Sequence, residues 1–509
     1  MVCLDLRDNG EVAYFTYDLL AGYLIARSLV EKEKDNIDQF LKSQDVTNEL
    51  FADDLRLLHP LYEDIARSLA VVLPARDGRF LHEVREDTRA FAVSIRAIFE
   101  VPPRLVSNNC VEIVAKLFRD ERNRKQLIDL AMSTMTQTHH PLNALFWSEQ
   151  LRQLSMGERD ASWTEYVREN EEQFQGIVIR FERLCLDGAT PSNIARERRH
   201  LMAQQLMWVL TSTVRTLRDR ATRALYWYGR CMNDRFFDLV LSSLDVNDPY
   251  VPERMLAATY GVVMARHIEF TDHTFSTVTL RRYGKELYDA MFRENSPHGT
   301  THILMRDYAR RVIELALVNH PDLLSTEQQQ RIRSPFSEQE AREWGESKDK
   351  NDREYRDGNA PIHMDFGNYT IGRLVKDRAN YDFENTEYKT VRGNIFWRIY
   401  DLGYSLERFG EVDKRIHQMN WGRDENGGKI DRYGKKYSWI AFFELAGLRQ
   451  DRKLLPDYGE PRISDCDVDP SFPENVQQYQ VPINDFLEIN STSTQEWIEK
   501  TTAPDTSSN

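Results

Sequence analysis

Met207-Trp208-Val209-Leu210-Thr211-Ser212-Thr213-Val214-Arg215-Thr216-Leu217-Arg218-Asp219-Arg220-Ala221-Thr222-Arg223-Ala224-Leu225 is an arginine-studded run with a clear helical period. Leu206, Leu210, Leu217, Ala221 and Leu225 recur at helical spacing and line one face, with arginines crowding the flanks. Arg215 with Asp219, and Asp219 with Arg223, stand four residues apart and are expected to pair along the surface, which leaves Arg218 and Arg220 without a local acid. Guanidinium groups on a packed helix suit a carboxylate, a phosphate or a neighbouring helix end. Stitching this helix to the next one is the plainest use for them. Contact with a partner is the sharper one, and Arg215, Arg218, Arg220 and Arg223 are its candidates.

Outward from this run, Ile194 to Arg235 carries nine arginines and three acids, while the chain as a whole has a formal net charge of −14. The overall charge argues against nonspecific nucleic-acid binding by the whole surface. A local basic stripe on an acidic chain fits an internal seam or an acidic protein better than nucleic acid. At 509 residues, with 41% hydrophobic and 29% charged residues and few turn-forming Gly (23) and Pro (18), the composition favours long helices around a sizeable core. The five cysteines are scattered without a CxxC pair, which predicts reduced thiols and a cytoplasmic setting. Residues Met1 to Asp8 lack a secretory pattern, and no run approaches the roughly 20 apolar residues of a membrane span.

The expected fold is all-α: an irregular α-solenoid or helical-repeat array, with a short winged-helix-like remnant at the N-terminus and an aromatic-rich helical C-terminal module. Residues 1–45 read as the end of a preceding module, with a strand at Glu11–Thr16 and a helix from Tyr17 to Val30 capped by Thr16. From 46 to 330 helical segments follow one another, among them Val111–Phe118, Lys125–Met135, Leu142–Leu154, Glu171–Leu184, Leu201–Tyr228, Pro252–Arg266, Leu280–Phe292 and His302–Leu317. Residues 331–360, half of them charged, read as a linker with one short helix near Ser337–Trp344. The 361–480 module holds a helix at Lys436–Leu448 that is apolar on nearly all sides and so is expected to be buried, with Glu444 requiring a basic partner. Residues 481–509 read as a polar tail.

Catalytic motifs are not evident. Tyr433-Gly434-Lys435-Lys436 lacks the upstream glycine and the hydroxyl residue of a phosphate loop. His82-Glu83-Val84-Arg85-Glu86 has a glutamate where a zinc helix places its second histidine, and reads as an exposed helix face. His139-His140, where a helix is expected to begin, has no further ligand at metal spacing. Asp465-Cys466-Asp467-Val468-Asp469-Pro470 resembles half a calcium loop but has proline for the glycine, so a capped turn is expected. No GxSxG elbow occurs.

Several runs, in order, resemble the C-terminal helical part of the bacterial antiviral STAND NTPases of the AVAST type, NACHT-like ATP-binding defence proteins. They are Phe15 to Ala26, Met156-Gly157-Glu158-Arg159-Asp160-Ala161-Ser162-Trp163, Thr211 to Leu225, Asn247 to Arg254 with Ala257 to Gly261, Arg306-Asp307-Tyr308-Ala309-Arg310, Asp365-Phe366, Gly434 to Ala446, and Asp465 to Pro470. The resemblance implies a non-catalytic sensor that binds a phage structural or packaging protein and triggers assembly of a defence complex. It implies that ATP and magnesium belong to an upstream core, with no cofactor and no metal in this chain. On that reading the chain is a gene fragment, a mis-called start at Met1, or half of a split system. Its further partners would be the ATPase half or copies of itself. Arg306, Arg310, Lys435, Lys436 and Trp439 join the four arginines as contact candidates. Without the partner role, Tyr308 would pack inward and Arg310 would pair with Glu314. The alternative to a sensor is a standalone helical scaffold or a decayed fragment, and after it a nucleic-acid binder acting through the arginine helix.

Overall fold

The apolar face beginning at Leu206 does not belong to one helix. In the computed structural model, which describes residues 2–7, 10–15, 17–186, 192–269, 274–333, 342–347, 360–363, 366–377, 380–421 and 430–456, helix Asn193–Val209 stops and helix Arg215–Cys231 starts after a buried turn. Thr211, Ser212 and Thr213 in that turn are wholly buried. Their hydroxyls compete with the helical ladder: Thr211 Oγ1 donates to the Trp208 carbonyl at 2.8 Å, and Ser212 Oγ accepts from the Val214 amide at 3.1 Å. Val214 then makes an antiparallel bridge to Ile430, and the Asp431 amide donates to the Thr213 carbonyl at 2.8 Å. The apolar period runs straight through the break, which is why the sequence reads as continuous.

The described residues form 21 α-helices and one antiparallel hairpin, Val2–Arg7 with Gly10–Phe15. The strand expected at Glu11–Thr16 is therefore the second half of a hairpin. The following helix, Asp18–Lys32, has Tyr17 at its N-cap without a side-chain bond, and Thr16 lies outside the described residues. That helix packs on Tyr62–Asp77 through Ala21, Gly22, Ala26 and Val30. Small residues permit close approach there: a Cβ on Gly22 would fall 2.6 Å from the Asp64 carbonyl carbon.

Helix starts follow local capping chemistry. Asp87, Ser107, Asn143, Ser192 and Asn385 each accept a backbone N–H from the first turn, and Ser155 with Glu158 forms a capping box. His140 is thus not a helix start; it is buried, and its Nδ1 accepts from the Leu142 amide at 3.0 Å. His82 sits in a 3-10 turn, Leu81–Glu83, with Nδ1 2.7 Å from Ser94 Oγ, and is half-buried rather than on an exposed helix face.

Glu171–Leu186, Arg215–Cys231, Tyr250–Glu269 and Ile303–Asn319 lie side by side in one layer. Asn193–Val209, Asn233–Ser243 and Leu280–Met291 bridge them from a second layer. This is an irregular two-layer helical array. Tyr433–Asp451 continues it, packing on Ile303–Asn319 and on Thr386–Asp401.

One apolar core extends from Ala26 to Leu448 and crosses the expected linker. Within that linker, residues 342–347 have no helix and run along Thr386–Asp401. There the Ser347 amide donates to the Gly393 carbonyl at 3.0 Å and the Trp344 and Trp397 rings lie 5.9 Å apart. Residues 337–341, the Asp465–Pro470 turn and the 481–509 tail lie outside the described residues. No described helix is long and apolar enough to cross a membrane.

Candidate functional site: the arginine helix and the buried Lys436 centre

Arg215, Arg218, Arg220 and Arg223 of helix Arg215–Cys231 reach to residues outside the helix instead of along it, while Arg230 donates to Tyr226 of its own helix at 2.8 Å. Arg223 forms a fork with Glu182 at 2.5 and 2.9 Å, and Arg220 donates to Gln175 Oε1 at 3.1 Å, both on Glu171–Leu186. Asp219 is engaged from the opposite side by Arg254 at 2.9 Å. Neither pair expected within the helix is the one formed. An i,i+4 pair contributes only about 0.3–0.5 kcal/mol, so any better-oriented acid on a neighbouring helix displaces it.

At the helix start, Arg215 (3.2 Å), Arg218 (3.7 Å) and Lys435 (2.8 Å) converge on the buried carboxylate of Asp431. Burial works to raise that carboxyl, but Lys435, Arg218 and Arg215 together hold it below the usual range. Arg218 also donates to the Ser212 carbonyl at 2.8 Å and lies 4.7 Å from the Tyr250 ring centroid. With 5% of its surface exposed, Arg218 is a structural brace, which corrects its reading as a partner contact.

Lys436 needs the same correction. Its side chain is fully buried, and Nζ donates to Asp160 Oδ1 at 2.8 Å, Asp248 Oδ2 at 2.7 Å and the Thr211 carbonyl at 3.0 Å. Thr164 Oγ1 donates to Asp160 Oδ1 at 2.7 Å and lies 3.0 Å from Thr211 Oγ1, beside the carbonyl that Lys436 holds. Burial pushes the Asp160 carboxyl up; Lys436 opposes the shift and Asp248 adds to it. Segments around Asp160, Thr211, Asp248 and Lys436, far apart in the sequence, meet in this one centre.

The other candidates lie apart. Arg306 pairs with Asp451 at 2.7 Å, and Trp439 is half-buried among Phe366, Phe442 and Phe443. Arg310 pairs with Asp307, while Glu314, its expected partner, is held by Arg333 at 3.0 Å. Glu444 finds the base it required: Arg398 donates to it at 2.5 and 2.8 Å. Among the described residues no group of three or more His, Cys, Asp and Glu gathers at metal-binding distance.

Sequence reading missed Asp413, which lies on helix Leu406–Trp421 and caps a different helix. Its carboxylate accepts from the Tyr433 amide at 2.5 Å, the Gly434 amide at 2.8 Å and the Tyr404 hydroxyl at 3.1 Å. It thereby satisfies the N-terminal N–H groups of Tyr433–Asp451, whose own N-cap, Arg432, offers no side-chain bond. Burial raises Asp413 from 3.8 to about 6, with Arg432 and the two amides pulling back. A raised carboxyl favours folding below its unfolded pKa, and that contribution is lost as pH rises through about 6. The stability of the wild type relative to Asp413→Asn is therefore expected to fall by roughly 2–3 kcal/mol between about pH 4 and about pH 7. Urea midpoints of both proteins across that range check it; a wild type that holds or gains relative stability as pH rises would show the carboxyl is not raised.

Comparison with family models, curated proteins and solved structures finds no match, so what the chain does is read from its own residues.

Proposed function

We propose that this chain is a non-catalytic helical array that holds a folded protein. Following its resemblance to antiviral STAND proteins, the ligand is a phage structural or packaging protein whose capture drives assembly with an ATPase half or with further copies. One observation carries this reading: four alternate helices of the array stand side by side, with seams locked by ion pairs such as Arg223–Glu182 and Arg254–Asp219. At about 8–10 Å between axes, such a row offers a rigid face some 30 Å wide. Gripping a folded protein calls for about 1,200–2,000 Å² of matched surface and no reacting group. Preorganisation of that face lowers the ordering cost of binding.

The nucleic-acid alternative is less favoured because its guanidinium groups are engaged by Glu182, Asp431 and Ser212. ATP and magnesium, on this reading, act on the ATPase half. Co-expression with a broad panel of phage structural and packaging proteins is expected to yield a stable complex. Arg220 is exposed and donates to the uncharged Gln175 at 3.1 Å, which leaves its charge available to a ligand. Arg220→Glu is expected to weaken that complex about tenfold or more while leaving the Tm in place. Failure of every panel member to co-purify with folded protein would remove the sensor reading.

A further inference from the structure

Cys185 lies in the last turn of helix Glu171–Leu186, and Cys231 is the final residue of Arg215–Cys231. These helices pack against each other, so their C-terminal ends bring together two cysteines separated by 46 positions. The Cys231 thiol donates to the Cys185 carbonyl with Sγ 2.7 Å from the oxygen. Cys231 reaches solvent, whereas Cys185 is buried. Arg199, Arg266 and Arg230 surround Cys231, and Arg199 also acts on Cys185.

We propose that Cys185 and Cys231 are a redox pair that closes to a reversible disulfide, tying together the ends of two neighbouring array helices. The co-reactant is a small anionic disulfide, drawn by the three guanidinium groups. The Cys231 thiolate attacks it, forming a mixed disulfide and releasing one thiolate. Cys185 then loses its proton and attacks the Cys231 sulfur, forming the internal disulfide and expelling the second thiolate. Two protein thiols are oxidised, and one small disulfide is reduced to two thiols. Burial pushes Cys231 up while the arginines pull it back, and burial drives Cys185 up to about 12. Cys231 is thus the attacking thiol and Cys185 the slower, resolving one.

Oxidised glutathione is the probe, and peptide mapping by mass spectrometry is the readout. In the wild type a Cys185–Cys231 cross-linked peptide is expected, two hydrogens lighter than the reduced pair, reversed by dithiothreitol and accompanied by a higher Tm. Cys185→Ser should stop at glutathione retained on Cys231, and Cys231→Ser should leave Cys185 unmodified. Wild-type protein that keeps glutathione on Cys231 while Cys185 remains alkylatable after unfolding would overturn the proposal. So would two untouched thiols, or modification of Cys185 in Cys231→Ser. The wild-type map decides the matter even if either variant folds poorly.

Discussion

Replacing Lys436 with methionine is expected to destabilise the protein by about 3–5 kcal/mol, because Asp160 and Asp248 are left buried without the cation between them. Methionine retains most of the apolar stem, so the loss comes from the charge and not from a cavity. Each carboxylate has partial alternatives: Asp160 keeps the Thr164 hydroxyl, and Asp248 Oδ1 keeps the Tyr250 amide at 3.2 Å. Neither alternative neutralises a negative charge away from water. Trp163 and Trp208 provide a local reporter, since Trp163 Nε1 donates to the Trp208 carbonyl at 2.8 Å one turn from Thr211. Urea unfolding followed by tryptophan fluorescence should show the midpoint falling sharply. Adding Asp160→Asn and Asp248→Asn to Lys436→Met should recover a large part of the loss, because a network with all its charges removed has no stranded ion. An unchanged midpoint in the single variant would mean that the carboxylates are held neutral without Lys436.

Gly447→Ala is the second large effect. A Cβ at Gly447 would lie 1.8 Å from the Thr301 carbonyl oxygen and 3.0 Å from its carbon. The obstacle is backbone, and it is anchored: the next residue, His302, is fully buried, accepts from the Met305 amide and packs on Phe443 at 5.5 Å. Helix Tyr433–Asp451 must therefore draw back from the residues that lead into Ile303–Asn319, with an expected loss of about 3 kcal/mol or more. Gly176 supplies the contrast, since a Cβ there meets nothing within 4 Å on a helix of the same array. Gly176→Ala should stabilise by about 0.5–1 kcal/mol, from helix propensity alone. Thermal melts of the two variants side by side would separate a steric cause from a general intolerance of substitution; equal shifts would contradict the close approach at Thr301.

What the sequence made legible was local. The helix expected at Lys436–Leu448 occupies Tyr433–Asp451 and is buried as its apolar composition required, and Glu444 has the base that burial demanded. Helices such as Ile303–Asn319 and Leu280–Met291 fall within a few residues of their expected limits, because apolar period and capping residues both act over one or two turns. What stayed hidden is the pairing of distant charges. Asp160 and Asp248 have no base three or four residues away to mark them as paired, and their partner lies 276 and 188 positions away. The same limit explains Arg215: Asp219, four residues along, is the visible acid, yet Asp431, 216 positions on, is the one it binds. A lysine within a helix that is apolar all round was the available signal, for it can be buried there only against acids.

The reach of Lys436 also has a consequence in time. During synthesis Asp248 and Asp160 leave the ribosome 188 and 276 residues before the lysine that neutralises them. At about 5–20 residues per second, this part of the array waits on the order of 10–50 s with two acids facing a gap that nothing yet fills. The array is therefore assembled early but latched late, and nascent chains halted before Lys436 should be the species that chaperones and proteases meet.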